Sequence, residues 1–156
     1  MGSFSATVKN YGVDAEKNTT LIFRTAADKL AKEVITPRAG GGRNDIGPSA
    51  SGGFLPSDTG NLGRSFSVST TSMPKIDAGS ASYLGNAEVS FSISNAKAGD
   101  TLYMGFQAAY APRMNYGFVG TDSLGRTYNQ TGNYFVENAG AKWQQFVTEA
   151  ETLYGE

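Results

Sequence analysis

The sequence predicts an α+β fold: an antiparallel β-sheet packed on one face by a long N-terminal and a long C-terminal helix, with a short helix after the last strand. Three observations carry this. Apolar residues recur at three- and four-residue steps over 14–36 and again over 133–154. Between them, short runs alternate apolar and polar side chains. Two apolar stripes and one apolar sheet face bury each other most economically with both helices on one side of the sheet.

In the first helix Leu21, Ile22, Phe23, Ala26, Ala27, Leu30 and Val34 make the stripe. Asp14 is placed as its N-cap and Val13 as a packing staple. Thr36-Pro37 ends it, because the residue before proline avoids the α region. Residues 38–57, RAGGGRNDIGPSASGGFLPS, have no period and read as a long flexible loop. It is either a mobile tether with solvated charges or an arm that orders on a neighbour and presents Arg38 and Arg43. Phe54 and Leu55 near its end favour docking on something.

Residues 58–65 read as one helical turn capped by Asp58 or Thr59, with Leu62 and Phe66 on one face. Period-two runs then place strands at Phe66/Val68/Thr70, Val89/Phe91/Ile93 and Leu102/Met104/Phe106, with 95–100 as a hairpin loop. Pro112 suits the first position of a short helix over 112–116, and Gly117 suits its left-handed stop. Residues 117–132 read as a second long flexible loop. In the last helix Phe135, Val136, Ala139, Trp143, Phe146, Val147, Ala150, Leu153 and Tyr154 form the stripe, with Asn133 as cap and Gly155 as end. Trp143 at that spacing is a core residue before it is a ligand platform.

The chain has 156 residues, enough for a single domain over 1–156 with its own core. Its net charge of −1 supplies no overall basic field for nucleic acid. With no cysteine and no histidine, disulfides, Cys nucleophiles, Ser-His-Asp catalysis and Cys/His zinc sites are excluded. No stretch approaches the apolar length of a membrane span. The start MGSFSATVKN lacks a signal-peptide core, and Ala6 stands where myristoylation needs Ser or Thr. Synthesis and assembly in a cytoplasm are therefore expected.

Phosphate-loop and dinucleotide signatures are absent, and GGGRNDIG does not space its glycines for either. Glu149 and Glu151 do not share a helix face. N-T-T at 18–20 and N-Q-T at 129–131 are chance matches to the glycosylation pattern. The reading is a protein that is not an enzyme and needs no cofactor or metal.

Three segments carry a resemblance: T-G-N-L-G-R-S at 59–65, Y-A-P-R-M-N-Y-G at 110–117 and N-Y-F-V-E-N-A at 133–139. Together they resemble the tail-component family of long-tailed bacteriophages, which covers tail-terminator, tail-completion and head–tail joining proteins of the neck. That family's pattern is T-G-x-L-x-x-S, then Y-A-x-x-x-E-x-G, then a short P-[FY] approach to the last helix. Thr59, Gly60, Leu62 and Ser65 match the first motif; Tyr110, Ala111 and Gly117 match the second. Asn115 stands where the family has an acid, and Asn133 where a proline is frequent.

The resemblance implies a homo-oligomeric ring, usually a hexamer, that ends or completes the tail tube. Its partners would be further copies of itself, the tail tube protein and a head-side connector or stopper. DNA passes through it without specific binding, no membrane is involved, and the protein resides in the virion after assembly in the host cytoplasm. Tyr110, Arg113, Asn115, Tyr116 and Phe118 are then expected at the subunit interface, where Tyr and Arg are favoured. Arg38 and Arg43 are expected on a lumen- or partner-facing loop. The other reading of 110–118 is packing within the subunit, and the alternative function is a monomeric ligand- or surface-binding module. A Ser/Lys or carboxylate hydrolase is a further class, without a supporting motif.

Overall fold

The computed structural model describes residues 4–38, 53–83, 85 and 87–155. Arg43 and most of the 38–57 loop lie outside them. The fold is α+β: a long N-terminal helix, antiparallel strands and C-terminal helices that pack back on the first helix. The elements are α1 (Phe4–Ile35), α2 (Asn61–Arg64), β1 (Phe66–Ser69), α3 (Ala87–Asn95), β2 (Tyr103–Phe106), α4 (Ala111–Tyr116), β3 (Gly117–Thr121), β4 (Thr127–Thr131), α5 (Phe135–Ala141) and α6 (Trp143–Tyr154). The strands form separate two-stranded ribbons, β1 with β2 and β3 with β4, both antiparallel.

α1 starts well before Asp14, so neither Asp14 nor Val13 acts at a helix end. No proline interrupts the chain before Pro37, and the helix runs on through Gly12 despite the backbone entropy a glycine adds there. Every side chain over 5–17 is exposed. The second half of α1 provides the packing. Ala27, Ala31 and Val34 join Leu55, Leu62, Phe66, Val68, Phe135 and Ala139 in the main core. Ala26, with Ile22 and Leu30, meets Phe146, Ala150, Trp143 and Val147 in a second cluster against α6. Trp143 is thus a packing residue. Lys29–Glu149 and Lys142–Glu33 ion pairs, each at 2.5 Å, flank the seam between the N- and C-terminal helices.

The segment 89–93 is a helix, not the expected third strand. Val89 and Ile93 are buried four residues apart, while Phe91 points to solvent. A period-two pattern V-S-F-S-I also satisfies an i, i+4 pair, so it is ambiguous over so short a run. α3 packs on β1, and 95–100 connects helix to strand instead of closing a hairpin. Residues 117–132 are an ordered hairpin, not a long loop. An Asp122–Gly125 turn, with Gly125 left-handed and its N–H donated to Asp122 O at 3.0 Å, sets the register. The last helix breaks at Lys142 into α5 and α6, and Asn133 lies before the α5 cap position, which Tyr134 takes. The break turns Ala139 toward the main core and Phe146 toward the second. Among the described residues no helix is long and apolar enough to cross a membrane.

Candidate functional site

The three motif segments fold locally for identifiable reasons and meet one another. In 59–65, Gly60 takes a left-handed φ of 74° that turns the chain into α2. Leu62 enters the core, and buried Ser65 donates its hydroxyl to Leu62 O at 2.7 Å. Asn61 reaches outward: its Nδ2 donates to Tyr110 Oη at 3.3 Å, and its Oδ1 accepts the Tyr83 N–H at 3.0 Å. The first motif therefore touches the second. A cavity of ≈ 290 Å³ lies beside this contact, lined by Asp58, Asn61, Tyr110 and Met114 among others.

The second motif forms α4. Ala111 is buried and Pro112 occupies the first turn, where a missing N–H costs nothing. Asn115 is only 3% exposed. Its Nδ2 donates to Glu137 Oε2 at 2.7 Å, and its Oδ1 accepts the Val136 N–H at 3.1 Å. The last carbonyls of α4 are satisfied by the third motif: Met114 O accepts Asn133 Nδ2 at 2.7 Å, and Asn115 O accepts the Tyr134 N–H at 2.9 Å. The buried Arg38 guanidinium donates to Asn133 Oδ1. The knuckle formed by α4, the base of the hairpin and the start of α5 is thus one hydrogen-bonded unit.

Of the residues expected at an interface, the structure brings Tyr110, Arg113, Tyr116 and Phe118 to this knuckle. Tyr110, Arg113 and Tyr116 are exposed. The Arg113 guanidinium lies 4.0 Å over the Phe118 ring centroid, and Tyr128 tilts against the same ring at 6.0 Å. Such a cation–π contact at an exposed site is worth about 0.5–1 kcal/mol. Tyr116 and Tyr134 stand edge to face at 6.4 Å. Asn115 does not belong with them: it is an internal clamp, because its amide is used up inside the subunit. Arg38, at 3% exposure, is likewise not a lumen-facing loop charge; it anchors the chain beneath Asn133.

Glu137, Tyr134 and Tyr128, not singled out from sequence, complete the site, together with Asn133, which the sequence marks only as a helix cap. Glu137 is the acid that Asn115 meets, at 2.7 Å. Its carboxylate comes from α5, one helical turn into the third motif, and Asn115 holds it. The place of Glu137 directly after N-Y-F-V is the sequence mark it carries.

Burial opposes ionisation of Glu137 most strongly, but hydrogen bonds from Asn115, its own backbone and Tyr116 outweigh it and leave its pKa below the ordinary glutamate value. The same Glu137 contact raises the Tyr116 phenol. Asp122 in the hairpin turn is lowered by the Arg126 N–H first and its guanidinium second. Both carboxylates are depressed in the folded state. Their contribution is therefore present above the unfolded carboxylate range, about pH 4, and is lost as pH falls through the folded values. Glu137→Gln is expected to lower neutral-pH stability and flatten the acid limb of a melting-temperature profile between about pH 7 and 3. An unchanged profile would mean the carboxylate adds nothing to the knuckle.

No family model matches the chain, and no curated protein or solved structure matches it. What the chain does therefore rests on its own geometry. Among the described residues, no group of three or more His, Cys, Asp or Glu side chains comes together as a metal site would require. The exposed chemistry of the site is aromatic and cationic, rigidly mounted and turned outward. That composition suits contact with another macromolecular surface.

Proposed function

We propose that this chain is a ring-forming structural protein of a phage neck, one that ends or completes the tail tube and joins it to the head connector. The observation that carries the reading is the meeting of the three motif segments. Asn61 reaches Tyr110, and Asn115, Asn133 and Tyr134 bind α4 to α5. Segments 59–65, 110–117 and 133–139 thus build one outward-facing knuckle. A net charge of −1 is compatible with a channel through which DNA must pass without being held.

On this reading the knuckle is a subunit contact. Arg113 and Tyr116 offer a planar cation and an aromatic ring, both exposed on the subunit surface. Arg113→Ala and Tyr116→Ala should each weaken association by about 1–2 kcal/mol, or roughly tenfold, and leave the melting temperature of the dilute chain within a few degrees. Native mass spectrometry across a concentration series, with negative-stain images of the same samples, tests the reading. A closed ring, six subunits expected, that the two variants weaken would support it. A strict monomer that also fails to bind assembled tail tubes would overturn it in favour of a monomeric surface-binding module.

A further inference from the structure

The two ribbons leave unpaired strand edges, and an isolated two-stranded ribbon is marginal in water. Their hydrogen-bond phase is legible. Ser65 O accepts the Gln107 N–H at 2.8 Å, so in the β1–β2 register the bonded pairs are Ser67 with Gly105 and Ser69 with Tyr103. The N–H and C=O of Met104 and Phe106 consequently point away from β1, along the outer edge of β2. In the hairpin, Asp122 donates its N–H to Arg126 O at 3.0 Å, so Gly120 pairs with Tyr128 and Phe118 with Gln130. The N–H and C=O of Val119 then point outward along the edge of β3. Among the described residues none of these outward groups has a backbone partner.

An apolar groove follows β2. One part, ≈ 550 Å³, is walled by Phe23, Leu30, Met104 and Trp143; the adjoining part, ≈ 140 Å³, shares Leu30 and Met104 and adds Phe106 and Val136. No hairpin residue lines either part. The hairpin, for its part, carries two large apolar side chains that its own subunit leaves bare: Val119 at 78% and Leu124 at 75% exposure.

We propose that β3 of one copy adds antiparallel to the outer edge of β2 in the next copy, with Val119 and Leu124 seated in the groove. The proposal rests on the ring reading and supplies its contact. Strand addition joins the two ribbons into one four-stranded sheet across subunits and satisfies the outward groups on both edges. The antiparallel direction carries the hairpin turn toward the Asp100 end of the groove, where Phe23 and Trp143 can receive Leu124. The turn enters without net charge, because Asp122 and Arg126 pair at 2.7 Å.

The same chain supplies both halves of the contact: at β2 an outward strand edge beside an apolar groove, and at β3 an outward strand edge next to the exposed Val119 and Leu124. Groove and hairpin are different surfaces, so the contact is head-to-tail, the type that builds a ring when the rotation between copies closes.

The test exploits the absence of cysteine. A chain carrying both Val119→Cys and Thr101→Cys is treated with a short bismaleimide. A covalent ladder reaching the full ring, absent from either single variant, is expected. Val119→Pro removes an N–H that the hairpin itself does not use, so the hairpin should persist while association weakens roughly tenfold or more. Val119→Lys, which keeps strand geometry, should weaken it similarly, and the circular dichroism spectrum should stay that of wild type. A ring that forms without the ladder and tolerates Val119→Pro and Val119→Lys overturns the strand contact while leaving the ring reading intact. A chain that stays monomeric, gives no ladder and also fails to bind assembled tail tubes overturns both.

Discussion

Gly117→Ala is expected to detach the β3–β4 hairpin from the knuckle. Gly117 closes α4 with a φ of 83° and a ψ of −178°, a combination open to glycine and strained for any other residue. An added Cβ would run into Gln130 O and sit 2.7 Å from the Gly132 nitrogen, and both obstacles are backbone. Strain of about 1–3 kcal/mol plus the displacement of the neighbouring strand gives an expected loss of at least about 3 kcal/mol. Amide hydrogen exchange reads the outcome. Protection should fall over 117–131 and at the start of α5, while the α1–α6 seam keeps its own. Unchanged protection in the hairpin would show that the turn at Gly117 relaxes freely and that the knuckle is not a rigid unit. The same steric constraint accounts for the glycine at the end of the second motif: the chain must reverse there, directly beneath the returning strand.

Phe135→Ala is expected to have the largest effect on global stability. Phe135 is 2% exposed and sets its ring edge to face against Phe106 at 5.3 Å, which in turn meets Phe66 at 5.2 Å. This aromatic series joins α5 to the β1–β2 ribbon across the main core. Truncation leaves a cavity among side chains that are held by three different elements, so little collapse can fill it. A cost of about 3–5 kcal/mol follows, which for a domain of this size is a large part of the total. Denaturant unfolding, with its slope unchanged and its midpoint lowered, is the measurement. A cost below about 1 kcal/mol would mean that the core around Phe135 rearranges readily. By contrast, the exposed Lys32–Asp28 pair on α1 sits where such pairs add little.

Much of the fold was legible along the chain. The stripe of Ile22, Ala26 and Leu30 and the stripe of Phe146 and Ala150 both identify helices whose apolar faces meet, because an apolar repeat near 3.6 residues, sustained over several turns, matches the helix and not the strand. Thr36-Pro37 and Gly117 mark real ends, since they act through local backbone sterics that need no partner. The pairing of Phe66/Val68 with Met104/Phe106 follows the expected alternation. The short helix expected over 112–116 is also present, as α4.

Other features depended on what lies across space. Whether V-S-F-S-I is strand or helix is undecidable from five residues; packing on β1 decided it for α3. Whether Asp14 starts a helix depends on what precedes it, and a capping residue is also compatible with a helix interior. Arg38 and Asn115 look like surface residues by type. Each is buried against a hydrogen-bond partner from a distant segment, Asn133 for Arg38 and Glu137 for Asn115, the kind of partner that burial of a polar group requires. Local sterics and periodicity can be read from neighbours along the chain. The burial of polar groups, the split of the strands into two ribbons and the groove beside β2 arise from pairings between residues far apart in sequence, which only the tertiary structure brings together.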